Sequence, residues 1–368
     1  MSALSFARKP LRISPTLLVW IALLGIFLTI GIVSAIQVFW RGLIITNMSD
    51  TVPWGLWITI DLSSIALGAG AFTLSAIVYI FGLKKFQPMV RLAVFVGFGG
   101  YTSALLCLVM AIGRPDRFWH PWAYWNIHSV LWEVTWCITI YLTIMLVEFA
   151  PVLTELKIFD RWPWIRKIAH LLHKATPVLA ILGLGISLLH QSSLGATYGI
   201  VKSRPIWFKP SMPIMFILSA IAVGPALTMS VAHVVEWITG KLTIPHDVLK
   251  SIARFSGVGL LFYGYIKFWD LAAVTYYGRT PSVSAAFNLL RQQTPYNFAF
   301  WVGEIILGIV VPAILFLAPR FNRKPGYLVL GGALAIMGVL TNRWNVTVTG
   351  LYVPLQYSPG VLYQLEPV

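Results

Sequence analysis

Six ionisable side chains fall within otherwise apolar segments of this 368-residue chain. They are Asp61, Glu133, His190, Lys267, Asp270 and Glu304. At a rise of about 1.5 Å per helical residue, their positions put all six in the outer half of a membrane, the half opposite the N-terminus. An ionisable group in hydrocarbon is costly unless it is paired, neutralised or wetted, so the sequence predicts a functional site at this depth.

Asp61, Glu133 and His190 are the predicted catalytic residues because their types suit quinone reduction. Two-electron reduction of a quinone consumes two protons and requires hydrogen-bond partners for two carbonyl oxygens. A histidine donates a hydrogen bond and titrates near neutrality, and a buried carboxyl group relays a proton to it. Gln191 adds an amide donor beside His190. The alternative is structural: Asp61 bonds a Ser or Thr of a neighbouring helix, and His190 is an interfacial side chain.

The remaining charged residues are candidates for a proton path. Lys267 and Asp270 are three residues apart and share one helical face, so an ion pair that locks two bundles together competes with a catalytic role. Near the opposite, inner ends of their segments, Glu148, His233 and Glu236 could begin a proton-access route, although residues at helix ends commonly reach the headgroup region. Glu304 and Arg343 complete this set.

The elements that position these residues are transmembrane helices. The chain is 58% hydrophobic and 11% charged, with a mean hydropathy of +0.79, which excludes an ordinary soluble domain. Apolar runs of about 20 residues each are long enough to cross a bilayer. The sequence predicts an all-α, polytopic protein with nine spans near 15–38, 54–83, 90–112, 129–150, 168–190, 210–236, 250–276, 297–318 and 327–342. The first is kept as a helix because it is too long for a secretory signal.

Basic residues predict the orientation. Most of the 27 Lys and Arg residues fall on the side of the N-terminus, which is therefore predicted to be cytoplasmic; Arg343 is assigned to the outer side. The same rule accounts for the net charge of +15, so no nucleic-acid partner is expected. The outer loops 113–128, 191–209 and 278–295 are long and rich in Trp, Tyr, Pro and Arg, which favours a docking surface for a partner; the alternative is that these aromatics lie at headgroup level.

No metal site is expected in the chain. Cys107 and Cys137 both fall inside predicted spans, without the spacing of a zinc or iron–sulfur motif. Haem ligation by two histidines requires them at matching depth, whereas His190 is predicted near the outer surface and His233 near the inner one. His173 lies in a charged entry turn, so no haem is predicted.

Several motifs resemble one family. The runs Pro53-Trp54-Gly55-Leu56-Trp57-Ile58-Thr59-Ile60-Asp61, Asn126-Ile127-His128-Ser129-Val130-Leu131-Trp132-Glu133, Glu148-Phe149-Ala150-Pro151 and His190-Gln191-Ser192-Ser193-Leu194-Gly195 are similar to those of the NrfD/PsrC family of quinone-interacting membrane subunits. Within it the chain most resembles the HybB-type subunit of nickel–iron hydrogenases, with the HmcC-type subunit of multihaem cytochrome complexes a close relative. HybB-type subunits continue into a further helix after the ninth span. This sequence differs from them, because a polar segment that contains Pro is expected there instead.

The resemblance implies a haem-free integral subunit with two four-helix bundles. Residues 1–53 would form an N-terminal segment and first helix, 54–209 the bundle that holds the quinone, 210–345 the second bundle and 346–368 an extracytoplasmic tail. Asp61, Glu133 and His190 would line the pocket and its proton supply, with Trp57 and Gln191 also contacting menaquinone or ubiquinone. An iron–sulfur, ferredoxin-like subunit would dock outside and deliver electrons.

The sequence therefore predicts the quinone-reactive anchor of a respiratory complex in a bacterial or archaeal cytoplasmic membrane. The partner is expected to be a hydrogenase, giving a hydrogen:quinone oxidoreductase with no activity in the isolated subunit. The alternatives are the equivalent subunit of a multihaem cytochrome, molybdenum or iron–sulfur complex, a proton-coupled transporter, and a structural anchor without quinone.

Overall fold

The computed structural model describes residues 15–49, 52–153, 163–202, 204–240, 244–277 and 281–352. Within these ranges the chain forms helices and connecting turns, with no strand. The predicted all-α fold is confirmed. The greater part of the predicted C-terminal tail, residues 353–368, lies outside the described residues, as do residues 1–14.

The described residues form fourteen α-helices. Their bounds are α1 (Pro15–Arg41), α2 (Leu56–Gly68), α3 (Gly70–Tyr79), α4 (Gln87–Ala111), α5 (His120–Ala123), α6 (Val130–Leu153), α7 (Pro163–Gly199), α8 (Met212–Thr239), α9 (His246–Tyr277), α10 (Pro281–Gln292), α11 (Tyr296–Phe298), α12 (Val311–Leu317), α13 (Pro325–Trp344) and α14 (Gly350–Tyr352). A first π-helix, Ala299–Val310, joins α11 to α12, and a second, Asn345–Thr349, joins α13 to α14. Short 3-10 turns lie at Leu43–Thr46, Lys84–Phe86 and Pro115–Arg117.

Eight helical stretches in the described part of the chain are long and apolar enough to cross a membrane. They match eight of the nine predicted spans. The ninth prediction, 250–276, corresponds to α9, which has 32 residues but is not among the eight. Lys267 and Asp270 lower its hydropathy, and both are paired with other charged groups as described below. We treat α9 as a ninth span because its length suffices.

Two helices extend further than predicted. The fifth span was expected to end at His190, whereas α7 continues to Gly199. The ninth was expected to end at residue 342, whereas α13 is followed by the second π-helix and α14 as far as Tyr352. Both extensions are polar, so hydropathy underestimates them. His190 is therefore an interior residue of α7, and Arg343 is followed by further helical residues as far as Tyr352.

The combined span of α2 and α3 lies at the centre of the molecule, with 82% of its apolar window buried. It packs against α4 and α7 on one side and against α8 on the other. Gly70 of α3 and Gly224 of α8 allow these two helices to approach closely, because a Cβ atom on either would collide with the backbone of the other. Helices α8, α9, α12 and α13 pack around one another in the second half of the chain. We keep the division into two bundles at residue 209 as a proposal.

Candidate functional site

Asp61 lies in the second turn of α2 and is buried, with 5% of its surface exposed. Its Oδ1 has no hydrogen-bond partner among the residues that the structure describes. Trp57, one turn earlier on the same face, is half-buried. A desolvated carboxyl oxygen without a partner is costly, so Oδ1 of Asp61 is an atom that a ligand or water would satisfy.

His190 and Gln191 lie side by side in the interior of α7, with 0% and 1% of their surfaces exposed. Within the described part of the chain, neither ring nitrogen of His190 and neither amide atom of Gln191 has a hydrogen-bond partner. Buried polar atoms are nearly always paired in folded proteins. Four such atoms on consecutive residues therefore mark a site at which protein groups alone do not complete the hydrogen bonding.

Glu133 joins this region from the first turn of α6. Ser193 Oγ donates a hydrogen bond of 2.7 Å to Glu133 Oε1, and Ser193 lies one helical turn after His190. Helices α6 and α7 thus hold Glu133 beside α7, about one turn nearer its C-terminal end than His190. Since Glu133 is only half-buried, it forms the accessible edge of the cluster.

Tyr101 contacts His190 and was missed by the sequence reasoning. Its ring meets the His190 ring edge-on at a centroid distance of 5.9 Å. Tyr101 also stacks on Tyr141 of α6, with centroids 3.8 Å apart. The signal in the sequence is the run Gly97-Phe98-Gly99-Gly100 before Tyr101, because small residues let membrane helices approach closely.

The glycines of α4 are expected to differ sharply in their tolerance of substitution. A Cβ atom on Gly100 would lie 2.8 Å from Ser64 O and 3.1 Å from Gly68 Cα, whereas one on Gly99 would meet nothing within 4 Å. Gly100→Ala should lower the free energy of unfolding by about 1–3 kcal/mol through overpacking. Gly99→Ala should change it by less than about 1 kcal/mol. Thermal unfolding in detergent measures both, and equal effects would contradict this account of the contact between α2 and α4.

Glu148 lies near the opposite end of α6 and is also buried, at 8% exposure. Neither carboxyl oxygen has a hydrogen-bond partner within the described ranges. Glu148 lies seven residues, or about two helical turns, after Tyr141 on α6. Tyr141 stacks on Tyr101, which contacts His190, so Glu148 lies on the helix that carries this series of buried side chains.

The other two residues predicted at the inner end lie on α8. His233 Nδ1 is 3.8 Å from Glu236 Oε2, and the His233 ring lies 6.2 Å from that of His246. Glu236 is half-buried, whereas His233 is 6% exposed. These residues form a separate small cluster at the C-terminal end of α8.

A second buried network surrounds Glu304 on the first π-helix. Glu304 forms an ion pair with Lys267 and accepts hydrogen bonds of 2.7 Å from Asn342 and 2.9 Å from Asn345. π-Helical turns in membrane helices often lie at functional sites. This network satisfies both oxygens of Glu304, in contrast to Asp61.

The structure pairs Lys267 and Asp270 with different partners. Asp270 accepts a hydrogen bond of 2.6 Å from Lys209 and a short one from Ser211, whereas Lys267 pairs with Glu304. An ion pair between Lys267 and Asp270 themselves is thus not formed. The Asp270–Lys209 pair does tie α9 to the segment between α7 and α8.

Arg343 was counted among the basic residues of the outer side; which side it lies on stays a prediction, but the structure places it inside the bundle and not in a loop. It lies near the end of α13 with 1% of its surface exposed. Its guanidinium donates hydrogen bonds of 2.8 Å to Asn342 Oδ1 and to Ser219 Oγ, and it lies 3.7 Å from the centre of the Phe216 ring. These contacts replace hydration, so the charge is accommodated inside the helical bundle.

A small cavity lies between the Asp270–Lys209 ion pair and the Glu304–Lys267 ion pair. Its volume is ≈ 40 Å³, and its walls include both ion pairs and the apolar side chains of Met212 and Phe287. A buried water needs about 10–15 Å³ of such volume and two to four polar partners. The cavity is therefore large enough for about three water molecules between the two ion pairs.

An all-helical bundle of membrane length with unpaired buried acid, imidazole and amide groups is the architecture of a membrane-embedded ligand or proton site. The family model described as polysulphide reductase, NrfD, matches residues 44–354. The chain therefore belongs to the NrfD family, and the resemblance found in the sequence motifs is confirmed.

Relatives cover most of this chain. The menaquinone reductase integral membrane subunit of Nitratidesulfovibrio vulgaris is 32% identical over 92% of this chain and 82% of its own length. The probable Ni/Fe-hydrogenase 2 b-type cytochrome subunit of Escherichia coli is 26% identical over 88% and 78% of the two chains. The Hdr-like menaquinol oxidoreductase integral membrane subunit of Archaeoglobus fulgidus is 24% identical over 88% and 76%.

Proposed function

We propose that this protein is the quinone-reactive membrane subunit of a respiratory complex, with the quinone bound by α2, α6 and α7. The observation that carries the proposal is the set of unpartnered buried atoms on His190, Gln191 and Asp61 among the described residues. A quinone presents two carbonyl oxygens that accept hydrogen bonds and take up protons on reduction. These are the groups that would satisfy an imidazole, an amide and a protonated carboxyl.

Each residue has a role that follows from its chemistry. His190 donates a hydrogen bond to one carbonyl oxygen and delivers a proton to it. Gln191 holds the headgroup with its amide, and Trp57 lies one turn from Asp61 on the same face of α2. Asp61 supplies a proton by way of Tyr101 or directly. Because His190 has no exposed surface, binding requires the side chains around its ring to move.

Protons reach this site, in our proposal, from the end of α6 that carries Glu148. Glu148, Tyr141 and Tyr101 follow one another toward His190, and their terminal oxygen atoms have no hydrogen-bond partner in the described part of the chain. Bridging water molecules would link them. Glu236 and His233 remain candidates for a separate inner entrance, and Lys267, Asp270, Glu304 and Arg343 for a path through the second half of the chain.

We propose that electrons arrive from an iron–sulfur subunit docked at the loop 113–128. Trp119, Tyr124 and Trp125 of this loop are exposed, and such aromatics are common interface anchors. The loop is held to α6 by the Trp132 and Trp136 indoles, which donate to Pro121 O at 2.8 and 3.3 Å. It is thus a fixed surface. Docking of the iron–sulfur subunit at this loop would place the loop on the extracytoplasmic side. The opposite face, with the N-terminus, would then be cytoplasmic.

Menaquinone is the proposed substrate because the relative named a menaquinone reductase subunit is 32% identical to this chain. A hydrogenase partner is a second candidate, supported by the Ni/Fe-hydrogenase relative at 26% identity. In either case the partner subunit, and not this one, oxidises the second substrate. The predictions that the chain binds neither haem nor metal stay predictions.

Asp61→Asn tests the proposal in the purified complex. We expect electron transfer to a menaquinone analogue to fall at least about tenfold, because an amide cannot supply a proton. Reduction of an artificial dye by the catalytic partner should be unchanged. Asp247→Asn, at the exposed start of α9, is the matched control and should retain full quinone activity.

Three outcomes separate the candidate functions. Unchanged quinone reduction in Asp61→Asn would contradict the proposed site. Absence of quinone reduction in the unmodified complex would favour a structural anchor. Proton-driven uptake of a solute by the isolated subunit in vesicles would favour a transporter.

A further inference from the structure

A second apolar cavity lies far from the quinone candidate, between the end of α3 and the first half of α9. Its volume is ≈ 270 Å³, and seven apolar side chains line it: Leu74, Ile77, Phe81, Leu83, Phe86, Ile252 and Phe255. Leu74 and Ile252 form a buried floor, whereas Phe81 is 71% exposed at the rim. The cavity is therefore a groove that opens onto the surface.

The groove lies at the level of the lipid headgroups. It is bounded by the turn between two membrane spans, where α3 ends at Tyr79 and α4 begins at Gln87. Helix ends of membrane-length spans lie at the boundary between hydrocarbon and headgroups. The apolar molecule that is abundant at this level is a phospholipid with its acyl chain directed into the bilayer.

Basic side chains border the groove on both sides. Lys84 and Lys85 stand between the lining residues Leu83 and Phe86, and both are exposed. Across the groove, Lys250 and the exposed Arg254 flank the lining residue Ile252 on α9. Lys85 spans the gap, since its Nζ donates a 3.2 Å hydrogen bond to Ser251 Oγ.

In the part of the chain that the structure describes, carboxylates do not neutralise this rim, and none of the four basic side chains forms an ion pair. The acidic group on the neighbouring turn is Asp247, whose backbone oxygen accepts a hydrogen bond from Ser251. Among the described residues, four positive charges and one negative charge border the groove, and this surplus favours an anionic headgroup. Clusters of Lys and Arg beside membrane helices attract anionic lipids for this reason.

We infer that this groove is a binding site for an anionic phospholipid, with the phosphate group at Lys84, Lys85 and Arg254 and an acyl chain against Phe81, Phe86 and Phe255. A volume of ≈ 270 Å³ is close to the lower limit of about 300 Å³ for small-molecule sites. It holds part of one acyl chain. The lipid would fill the space between α3 and α9, which both line the groove.

Native mass spectrometry of the delipidated full-length protein tests this inference. Phosphatidylglycerol and phosphatidylcholine of equal chain length are titrated separately. We expect phosphatidylglycerol to bind at least about tenfold more tightly, since each basic residue near the headgroup contributes roughly a fivefold preference. The double variant Lys84→Gln/Lys85→Gln should lose most of that preference while its affinity for phosphatidylcholine is unchanged.

The matched control removes the same charge elsewhere on this side. Arg323→Gln/Lys324→Gln changes two exposed residues outside the groove and should keep the preference. Glycerol phosphate, which lacks acyl chains, should not displace the bound phospholipid at concentrations that saturate an ordinary phosphate site. Equal binding of the two phospholipids, an equal loss in the control variant, or displacement by glycerol phosphate would each overturn the inference. Thermal unfolding of each variant verifies that it is folded.

Discussion

Replacing His190 with alanine is expected to lower quinone-dependent turnover of the assembled complex by about 100-fold or more, since a positioned general acid typically contributes 10²–10⁴. Both ring nitrogens of His190 are buried without a hydrogen-bond partner among the described residues. Its replacement removes a donor to the quinone and the last group of the proposed proton route. The measurement is the rate of reduction of a soluble menaquinone analogue by the purified complex.

Two controls distinguish this result from a folding defect. Arg320→Ala changes an exposed residue between α12 and α13, outside the proposed site, and should retain full turnover. Reduction of a dye by the catalytic partner should be equal in the His190→Ala complex and the unmodified complex. Retained quinone turnover in a folded His190→Ala complex would show that the imidazole is not part of the reaction.

The sequence predicts the helical class and the approximate spans because hydropathy reports directly on the apolar runs. It does not predict where polar helices end. Helix α7 continues past His190 through Ser192, Ser193 and Thr197, whose hydroxyls bond to backbone carbonyls or to Glu133. Gly195 allows the backbone of α8 to approach closely, since a Cβ there would lie 2.6 Å from Pro213 Cα. These tertiary contacts have no counterpart in a hydropathy profile.

The sequence predicts which types of residue form the site, but it does not predict the contacts between them. Asp61, Glu133 and His190 could be selected because ionisable residues are rare in apolar helices. Tyr101 and Tyr141 could not, because tyrosine is common in such helices and only the rotation of α4 turns Tyr101 toward His190. Partners of charged residues likewise depend on helix rotation, and this is why Lys267 pairs with Glu304 and not with Asp270.

Arg343 is another residue whose surroundings in the structure are not predicted by the sequence. Charged residues usually lie in loops, and a count of basic residues therefore assigns Arg343 to one. The structure surrounds it with Asn342, Ser219 and Phe216. Because Ser219 and Phe216 come from α8, a separate part of the chain, the sequence around Arg343 does not reveal this environment.

The Lys267–Glu304 pair should give the largest stability effect in the second half of the chain. Glu304→Gln removes the counter-charge of an ammonium whose side chain is 12% exposed. Breaking a buried ion pair by removing one partner costs about 3–5 kcal/mol, because the remaining charge is left uncompensated. We expect a loss of that size in thermal unfolding. Arg114→Gln, which breaks an exposed pair with Asp116, should cost less than about 1 kcal/mol.

The double variant Lys267→Met/Glu304→Gln separates a charge effect from a packing effect. If the loss in Glu304→Gln arises from an unpaired ammonium, removing the ammonium as well should restore much of the stability, since a neutral pair of similar volume is often tolerated. Gln keeps one carbonyl oxygen, so one of Asn342 and Asn345 can still donate to it, whereas the other must rotate its amide to accept from the Gln NH2 group. Losses that simply add in the double variant would contradict a charge origin. A stable double variant with impaired quinone turnover would instead mean that the pair contributes to the proton path, because its structural role would already have been replaced.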